Sequence, residues 1–228
     1  DLPLLEAAAN AFEPTPQSAS APATLRAAAL VAILDVDPGV AAYHAAAHLG
    51  DADRMSGEPA VTATRVLAAA GNEVALVQCI LAGKRPELSG GEPEVLAECL
   101  RQLREVPAGV LQSVVDGAMS DGREVVRLGL CDLFVHHRPE PLLLEAAKRF
   151  LRETRDLELY HYLAASIVAE RREDLLDVLS ATAAEESDPA KLRVLEEALA
   201  VRETDPAVAG VLALVRRRGE PGRPERRS

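Results

Sequence analysis

Apolar side chains recur at steps of three and four residues over much of the chain. Such steps place side chains on one face of a helix, whereas a half-buried strand alternates apolar and polar positions. No convincing alternating segment occurs, so the pattern predicts an all-α protein built from amphipathic helices. The four clearest stripes are Leu96, Cys99, Leu100 and Leu103; Val126, Leu130, Leu133 and Phe134; Tyr160, Leu163, Ala164, Ile167 and Val168; and Val208, Val211, Leu212 and Val215.

An acidic residue followed by proline marks the start of several predicted helices. Proline suits the first helical position because its missing N–H needs no partner there, and a preceding carboxylate can accept hydrogen bonds from the first turn. Apolar residues at helical spacing follow each pair. The pairs are Asp37-Pro38, Glu58-Pro59, Glu92-Pro93, Glu140-Pro141, Asp188-Pro189 and Asp205-Pro206.

The predicted helix starts are regular in the second half of the chain. They fall near residues 107, 121, 140, 156, 172, 189 and 206, about 14 to 19 residues apart, so that helix pairs recur at roughly 33 residues. A repeat of this length is typical of stacked helix hairpins, each of which buries its apolar stripe only against its neighbours. We therefore expect an α-solenoid of antiparallel helix pairs with about 12 helices.

Changes in composition divide the chain into three regions. Residues 1–35 are predicted to form a helical cap or arm, interrupted by a linker rich in proline and serine at 13–22. Residues 36–216 carry the helical pattern and are predicted to form the repeat array. Residues 217–228 are rich in arginine, glycine and proline and lack apolar anchors, so we expect a disordered basic tail.

The helix openings resemble HEAT repeats, especially the bacterial type related to the repeats of phycobilin lyases. The resemblance is carried by Asp-Pro-Gly-Val at 37–40 with Leu-Gly-Asp at 49–51, and by Asp-Pro-Ala-Lys-Leu-Arg at 188–193. Ala41 and Ala209 stand where the family usually has the arginine of its Asp–Arg ladder between repeats. The resemblance implies stacked helix pairs and, as in most proteins of this architecture, a scaffold that binds other proteins.

The charge of the chain narrows the choice of partner. The net charge is −11, although residues 216–228 carry six arginines and only two glutamates. The rest of the chain is therefore strongly acidic and repels both nucleic acid and an anionic membrane surface. We expect a protein partner with a basic face, bound without nucleic acid or membrane. The predicted partner-binding residues are Glu153, Glu158, Asp174, Asp177, Glu185 and Glu196.

No motif indicates catalysis or a cofactor. The chain has no Gly-rich phosphate loop and no Gly-x-Ser-x-Gly nucleophile elbow, and no cysteine can be paired with a histidine from the sequence. We therefore expect a protein without enzyme activity. Two alternatives stay open: a bilin-lyase-like enzyme or enzyme subunit, which the family resemblance suggests, and a regulatory domain of a larger protein.

His44 and His48 form a candidate metal site. They stand four residues apart on one predicted helix, so both rings can face the same ion, and Asp51 and Asp53 follow closely. A metalloprotease helix would carry glutamate directly after the first histidine, but Ala45 occupies that position. Two histidines lining a groove between helices explain the pattern equally.

The three cysteines, Cys79, Cys99 and Cys131, are widely separated and form no Cys-x-x-Cys pair. They are typical of small buried thiols in a reducing compartment, which predicts a cytoplasmic location. We find no signal peptide and no apolar run near the roughly 18 residues that span a bilayer.

Overall fold

The structure, a computed structural model, describes residues 2–10, 20–50, 57–82 and 92–219. These residues form thirteen α-helices and no strand, which confirms the predicted all-α, solenoid-like fold. None of the helices in these ranges is both long enough and apolar enough to cross a bilayer.

The helices follow one another with short connections in most of the described chain. The seven starts predicted from residue 107 onward each lie within three residues of an observed start. The helices are α1 Leu2–Asn10, α2 Ser20–Val36, α3 Pro38–Leu49, α4 Gly57–Ala69, α5 Glu73–Ala82, α6 Glu92–Gln102, α7 Ala108–Met119, α8 Glu124–His136, α9 Pro141–Glu153, α10 Leu157–Glu170, α11 Glu173–Glu185, α12 Pro189–Ala200 and α13 Pro206–Gly219.

Acidic side chains cap several of these helices as the sequence predicts. Asp37 accepts hydrogen bonds from the N–H groups of the first turn of α3, at 2.9 and 3.1 Å. Asp188 and Asp205 accept equivalent bonds at the start of α12 and α13. Glu140 precedes the proline of α9 but makes no side-chain capping bond, so at this helix only the proline part of the signal applies.

The chain divides into two compact units, Asp1–Leu133 and Phe134–Ser228, and the division falls within α8. In the first unit α2, α4 and α6 pack side by side, and successive helices from α1 to α6 pack on one another. In the second unit α9, α11 and α13 form one row, and α10 packs on α12. Contacts between alternate helices within a unit are the pattern of stacked helix hairpins.

The region boundaries predicted from composition stay a prediction, although two details of the structure bear on them. Helix α2 already begins at Ser20, so the end of the predicted linker at 13–22 is helical. Helix α13 continues to Gly219, so the predicted tail begins later than residue 217. Residues 13–19 and 220–228 lie outside the described part of the chain.

The four apolar stripes predicted from the sequence lie in the core. All of their members are buried, and the largest fully buried side chains include Tyr160, Phe134 and Phe150. Phe134 and Phe150 meet edge to face, with ring centroids 6.0 Å apart. With few aromatic residues in the chain, most of the remaining core consists of leucine, valine and alanine, and the alanines let helices approach closely.

Two cations of the second unit bind the carbonyl ends of earlier helices. Lys191, at the start of α12, donates hydrogen bonds from Nζ to the backbone oxygens of Leu151 and Arg152, both at 2.9 Å. Arg172, just before α11, donates to backbone oxygens at the end of α8. The last carbonyls of a helix lack helical partners and carry partial negative charge, so these cations satisfy them and join separate helices.

Helices α6 and α8 approach so closely that one position admits only glycine. A Cβ atom on Gly129 of α8 would lie 2.6 Å from the Cα atom and 2.7 Å from the carbonyl oxygen of Ala97 on α6. Both are backbone atoms, which cannot move without shifting a helix.

We expect Gly129→Ala to destabilise the protein, although alanine is the better helix former. Overpacking costs about 1–3 kcal/mol, and the gain in helix propensity is about 1 kcal/mol. Gly210→Ala in α13 is the control, because a Cβ there meets nothing within 4 Å. Urea unfolding should show a lower midpoint for Gly129→Ala and an unchanged or higher midpoint for Gly210→Ala. Equal effects of the two substitutions would contradict this account of the α6–α8 contact.

Candidate functional site

The six carboxylates predicted to bind a partner lie on α9 to α12, in the second unit. Most of them already have a cationic neighbour in the chain, which reduces the charge they offer to a partner. The ion pairs are Glu153 with Arg149 at 3.9 Å, Asp174 with Arg172 at 2.7 Å, Glu185 with Lys148 at 3.7 Å and with Arg152, and Glu196 with Arg216 at 2.8 Å. Asp177 is exposed on α11.

Glu158 lies in a different setting, on the wall of an open groove between α10 and α12. This α10–α12 groove has a volume of about 660 Å³. It is lined by Leu157, Glu158, His161, Tyr162, Ala165, Ser166 and Ala169 of α10 and by Val194 and Glu197 of α12.

The groove exists because one face of α10 carries small side chains. Ala165 and Ala169 stand one helical turn apart, with Ser166 beside them, so little volume fills the space between α10 and α12. The opposite face of α10 carries the buried stripe that begins at Tyr160. Burial of that stripe holds α10 in place and leaves the small residues facing the groove.

The lining of the α10–α12 groove combines negative charge with apolar surface. Glu158 and Glu197 provide two carboxylates, and no lysine or arginine is part of the lining. Tyr162 is 36% exposed and, with Val194, provides aromatic and aliphatic surface. Such a groove is suited to a side chain that is partly apolar and carries a positive charge, because both parts then find complementary surface.

A second groove lies between α12 and α13, with a volume of about 860 Å³. Its lining includes Asp188 and Glu196, but also Arg193 and Arg216. Arg216 donates a hydrogen bond from Nε to Oε1 of Glu196 at 2.8 Å, so its charges are balanced within the chain. Of these two grooves, the α10–α12 groove is therefore the one whose lining contains carboxylates but no lysine or arginine.

The structure places the candidate metal residues His44 and His48 on α3, as predicted, with different surroundings. His44 Nε2 lies 3.3 Å from Oε1 of Glu6 on α1, and its ring meets Tyr43 edge on. His48 is buried. Asp51 and Asp53 lie outside the described residues, and within the described ranges no three acidic, histidine or cysteine side chains form a group that could hold a metal. The metal hypothesis therefore rests on sequence spacing alone.

A network of ionic groups with two buried carboxylates, which the sequence did not reveal, links α4, α6 and α8. Glu98 of α6 is 3% exposed and accepts hydrogen bonds from Nε of Arg65 at 3.0 Å, Nη1 of Arg101 at 2.8 Å and Nε2 of Gln102 at 2.8 Å. Arg101 also donates from Nε to Oδ2 of Asp132, which is 4% exposed, at 2.7 Å. We call these five residues the α4–α6–α8 ladder.

Spacing along the sequence is the signal that could have revealed this ladder. Arg65 and Glu98 are 33 residues apart, and Arg101 and Asp132 are 31 apart, so each pair joins positions about one repeat apart. Glu98 also stands inside the apolar stripe of α6. An acid within such a stripe, one repeat away from an arginine, is the pattern of a paired buried charge.

The charge state of Glu98 follows from its neighbours. Burial alone would raise the pKa of this carboxyl group, but the hydrogen bonds from Arg65 and Gln102, with the positive charges of Arg65 and Arg101, outweigh burial and hold the pKa below its ordinary value. Glu98 therefore stays ionised at neutral pH and holds the two arginines in place.

Comparison with protein-family models, with curated proteins and with solved structures gives no match to this chain.

The lowered pKa of Glu98 predicts how stability depends on pH. The carboxyl group binds protons less readily in the folded than in the unfolded chain, so its contribution is complete above the unfolded pKa of about 4.3 and is lost as pH falls through the folded pKa. We expect Glu98→Gln to cost about 1–2 kcal/mol at pH 7, because the buried position loses its charge-assisted hydrogen bonds. The cost is not larger because Arg101 keeps Asp132 and Arg65 is largely exposed to solvent. As pH falls from about 5 to about 3, the free energy of unfolding should therefore decrease less in the variant than in the unaltered chain.

Urea unfolding at a series of pH values tests this expectation. Glu94→Gln is the matched control, because Glu94 is exposed on the same helix. An unaltered pH dependence in Glu98→Gln, or an equal loss of stability in Glu94→Gln, would show that the α4–α6–α8 ladder does not stabilise the fold in this way.

Proposed function

We propose that this chain is a non-catalytic, HEAT-like scaffold that binds a basic segment of a partner protein. The observation that carries the proposal is the α10–α12 groove, an open space with two carboxylates, no lysine or arginine in its lining, an accessible tyrosine ring and a floor of small side chains. In this proposal Glu158 and Glu197 bind lysine or arginine, and Tyr162 and Val194 contact the apolar part of the segment.

The α4–α6–α8 ladder supports the HEAT-like assignment. The family resemblance implies acid–arginine pairs between repeats, yet Ala41 and Ala209 lack the arginine at the usual positions. Arg65 with Glu98 and Arg101 with Asp132 are pairs of this kind at other positions, about one repeat apart. A scaffold of stacked hairpins needs such contacts to keep neighbouring repeats in a defined orientation.

A linear basic segment fits the groove better than a flat protein surface does. The small residues Ala165, Ser166 and Ala169 leave a trough that a side chain can enter, and buried anchor side chains supply most of the affinity of such interfaces. Carboxylates on both helices can then contact cationic residues on either side of the anchor. Charges of this kind mainly provide selectivity and fast association.

The groove also distinguishes this function from the bilin-lyase-like alternative. A bilin carries negatively charged propionate groups, which Glu158 and Glu197 would repel. The regulatory-domain alternative is compatible with the proposal, because a domain of a larger protein can bind a basic segment in the same way. The reducing, cytoplasmic location expected from the cysteines belongs to the proposal as well.

Selection from a library of displayed random peptides tests the proposal directly. With the whole chain immobilised, we expect enrichment of segments in which lysine or arginine flanks a large apolar residue. A selected peptide, labelled for fluorescence anisotropy, should bind the double variant Glu158→Lys/Glu197→Lys at least tenfold more weakly, which corresponds to about 1.4 kcal/mol. Binding should also weaken as salt is added, since the ion pairs are exposed.

The matched control is the double variant Asp116→Lys/Glu145→Lys, which changes net charge equally at exposed positions that neither line the groove nor belong to the six predicted partner-binding residues. It should retain nearly all of the affinity. Enrichment of acidic or uncharged segments, or equal losses in the two double variants, would contradict the proposed binding site.

A further inference from the structure

A carboxylate and an aromatic ring stand side by side on the wall that α10 contributes to the α10–α12 groove. Glu158 and Tyr162 are four residues apart, and both line the groove. Side chains at this spacing are neighbours on one face of a helix, with Cβ atoms roughly 5–6 Å apart. Helical side chains also lean toward the N-terminus, so the ring of Tyr162 leans toward Glu158. One ligand group can therefore contact both.

The two tyrosines in this part of α10 have different surroundings. Tyr160 is completely buried, and Nζ of Lys191 lies over its ring, 5.3 Å from the centroid. Tyr162 stands two residues later, on the groove side of the helix, and is 36% exposed. The ring of Tyr160 is thus part of the core, whereas the ring of Tyr162 is presented to a ligand in the groove.

The small side chains of α10 leave room beside the Tyr162 ring. Ala165 and Ser166 stand three and four residues after it, which makes them its neighbours on the side away from Glu158. No large side chain of α10 therefore fills the groove next to the ring on that side. The aliphatic part of a long side chain can lie over these two residues while its end reaches the ring and the carboxylate.

The charges at this end of the groove favour a cation. Asp156 caps α10 and accepts hydrogen bonds from the N–H groups of Glu158 and Leu159, at 2.9 and 3.1 Å. The cap satisfies two donors of the first turn and adds a negative charge close to that of Glu158. Glu197 provides a further carboxylate from α12, on the opposite wall. Charge alone does not distinguish arginine from lysine, because both carry one positive charge.

Arginine and lysine differ in how they contact a carboxylate beside a ring. The guanidinium group is planar and weakly hydrated, stacks on aromatic rings and forms two parallel hydrogen bonds to one carboxylate. The ammonium group of lysine is compact and strongly hydrated, and it cannot form the parallel pair of hydrogen bonds. Arginine therefore gains from both neighbours on α10, whereas lysine gains mainly from the charge.

We propose that the α10–α12 groove selects arginine over lysine and that Tyr162 is the residue that determines this selectivity. The guanidinium group of the partner segment stacks on the Tyr162 ring and donates two hydrogen bonds to the carboxylate of Glu158, and Glu197 attracts it from the opposite wall. The inference rests on the proposed function, and it narrows the partner from a basic segment to a segment anchored by arginine.

Fluorescence anisotropy with two labelled synthetic peptides tests this selectivity on the whole chain. Both peptides have a central leucine within a glycine–serine sequence, and they differ only in whether arginine or lysine flanks the leucine. Their length and charge are therefore equal. We expect the arginine peptide to bind about fivefold more tightly than the lysine peptide, because an exposed aromatic ring adds a modest stacking contribution.

Replacement of Tyr162 separates the effect of the ring from that of the charge. In Tyr162→Leu both carboxylates remain, so the lysine peptide should keep nearly all of its affinity, whereas the arginine peptide should lose about fivefold and the preference should disappear. Tyr162→Phe retains a ring and should retain the preference. Tyr43→Leu is the matched control, because Tyr43 is 71% exposed on α3 and does not line the groove.

The outcomes separate this inference from the proposed function. Equal affinity of the two peptides for the unaltered chain, or an unchanged preference in Tyr162→Leu, would overturn the arginine selectivity, even if Glu158→Lys/Glu197→Lys still abolishes binding of both peptides. Failure of both peptides to bind the unaltered chain would overturn the proposed function and the selectivity together. Because the preference is a ratio measured on one protein sample, partial unfolding of a variant lowers both affinities equally and does not alter it.

Discussion

Most helices in the described chain bury one apolar face, and no single helix or hairpin can bury that face alone. The core stripes of α6, α8, α10 and α13 are covered only because other helices pack on them, and the contacts between alternate helices in each unit provide this cover. Where side chains are small the helices approach closely, to the extent that a Cβ atom on Gly129 would meet the backbone of Ala97. Spacing between neighbouring helices is therefore the constraint on which the other features depend.

Close helix packing also explains why charged groups are buried where they are. Glu98 and Asp132 lie at contacts between helices of the first unit, where water is excluded, so arginine has to compensate each of them. In the second unit Lys191 reaches the end of α9 across the interior of the fold. Charge pairs of this kind restrict the orientation of one hairpin on the next. An interface of leucine and alanine alone would restrict that orientation less.

The proposed binding site follows from the same arrangement of packed helices. At the α10–α12 groove, small side chains on the outward face of α10 leave space that the fold does not fill, and carboxylates on both helices give that space its charge. This site therefore offers a charged, partly apolar surface to a partner.

The sequence by itself determined the helices, because helix starts and buried stripes depend on local signals: Asp37 and Asp188 cap their helices, and all members of the stripe from Tyr160 to Val168 are buried as expected. It also identified Glu158 as a surface carboxylate. Only the tertiary structure decided which acidic residues are matched by cations, such as Glu196 by Arg216, and which line a groove with no lysine or arginine. The physical reason is that ion pairs and grooves depend on distances between separate helices, and the periodicity of one helix contains no information about the residues that face it.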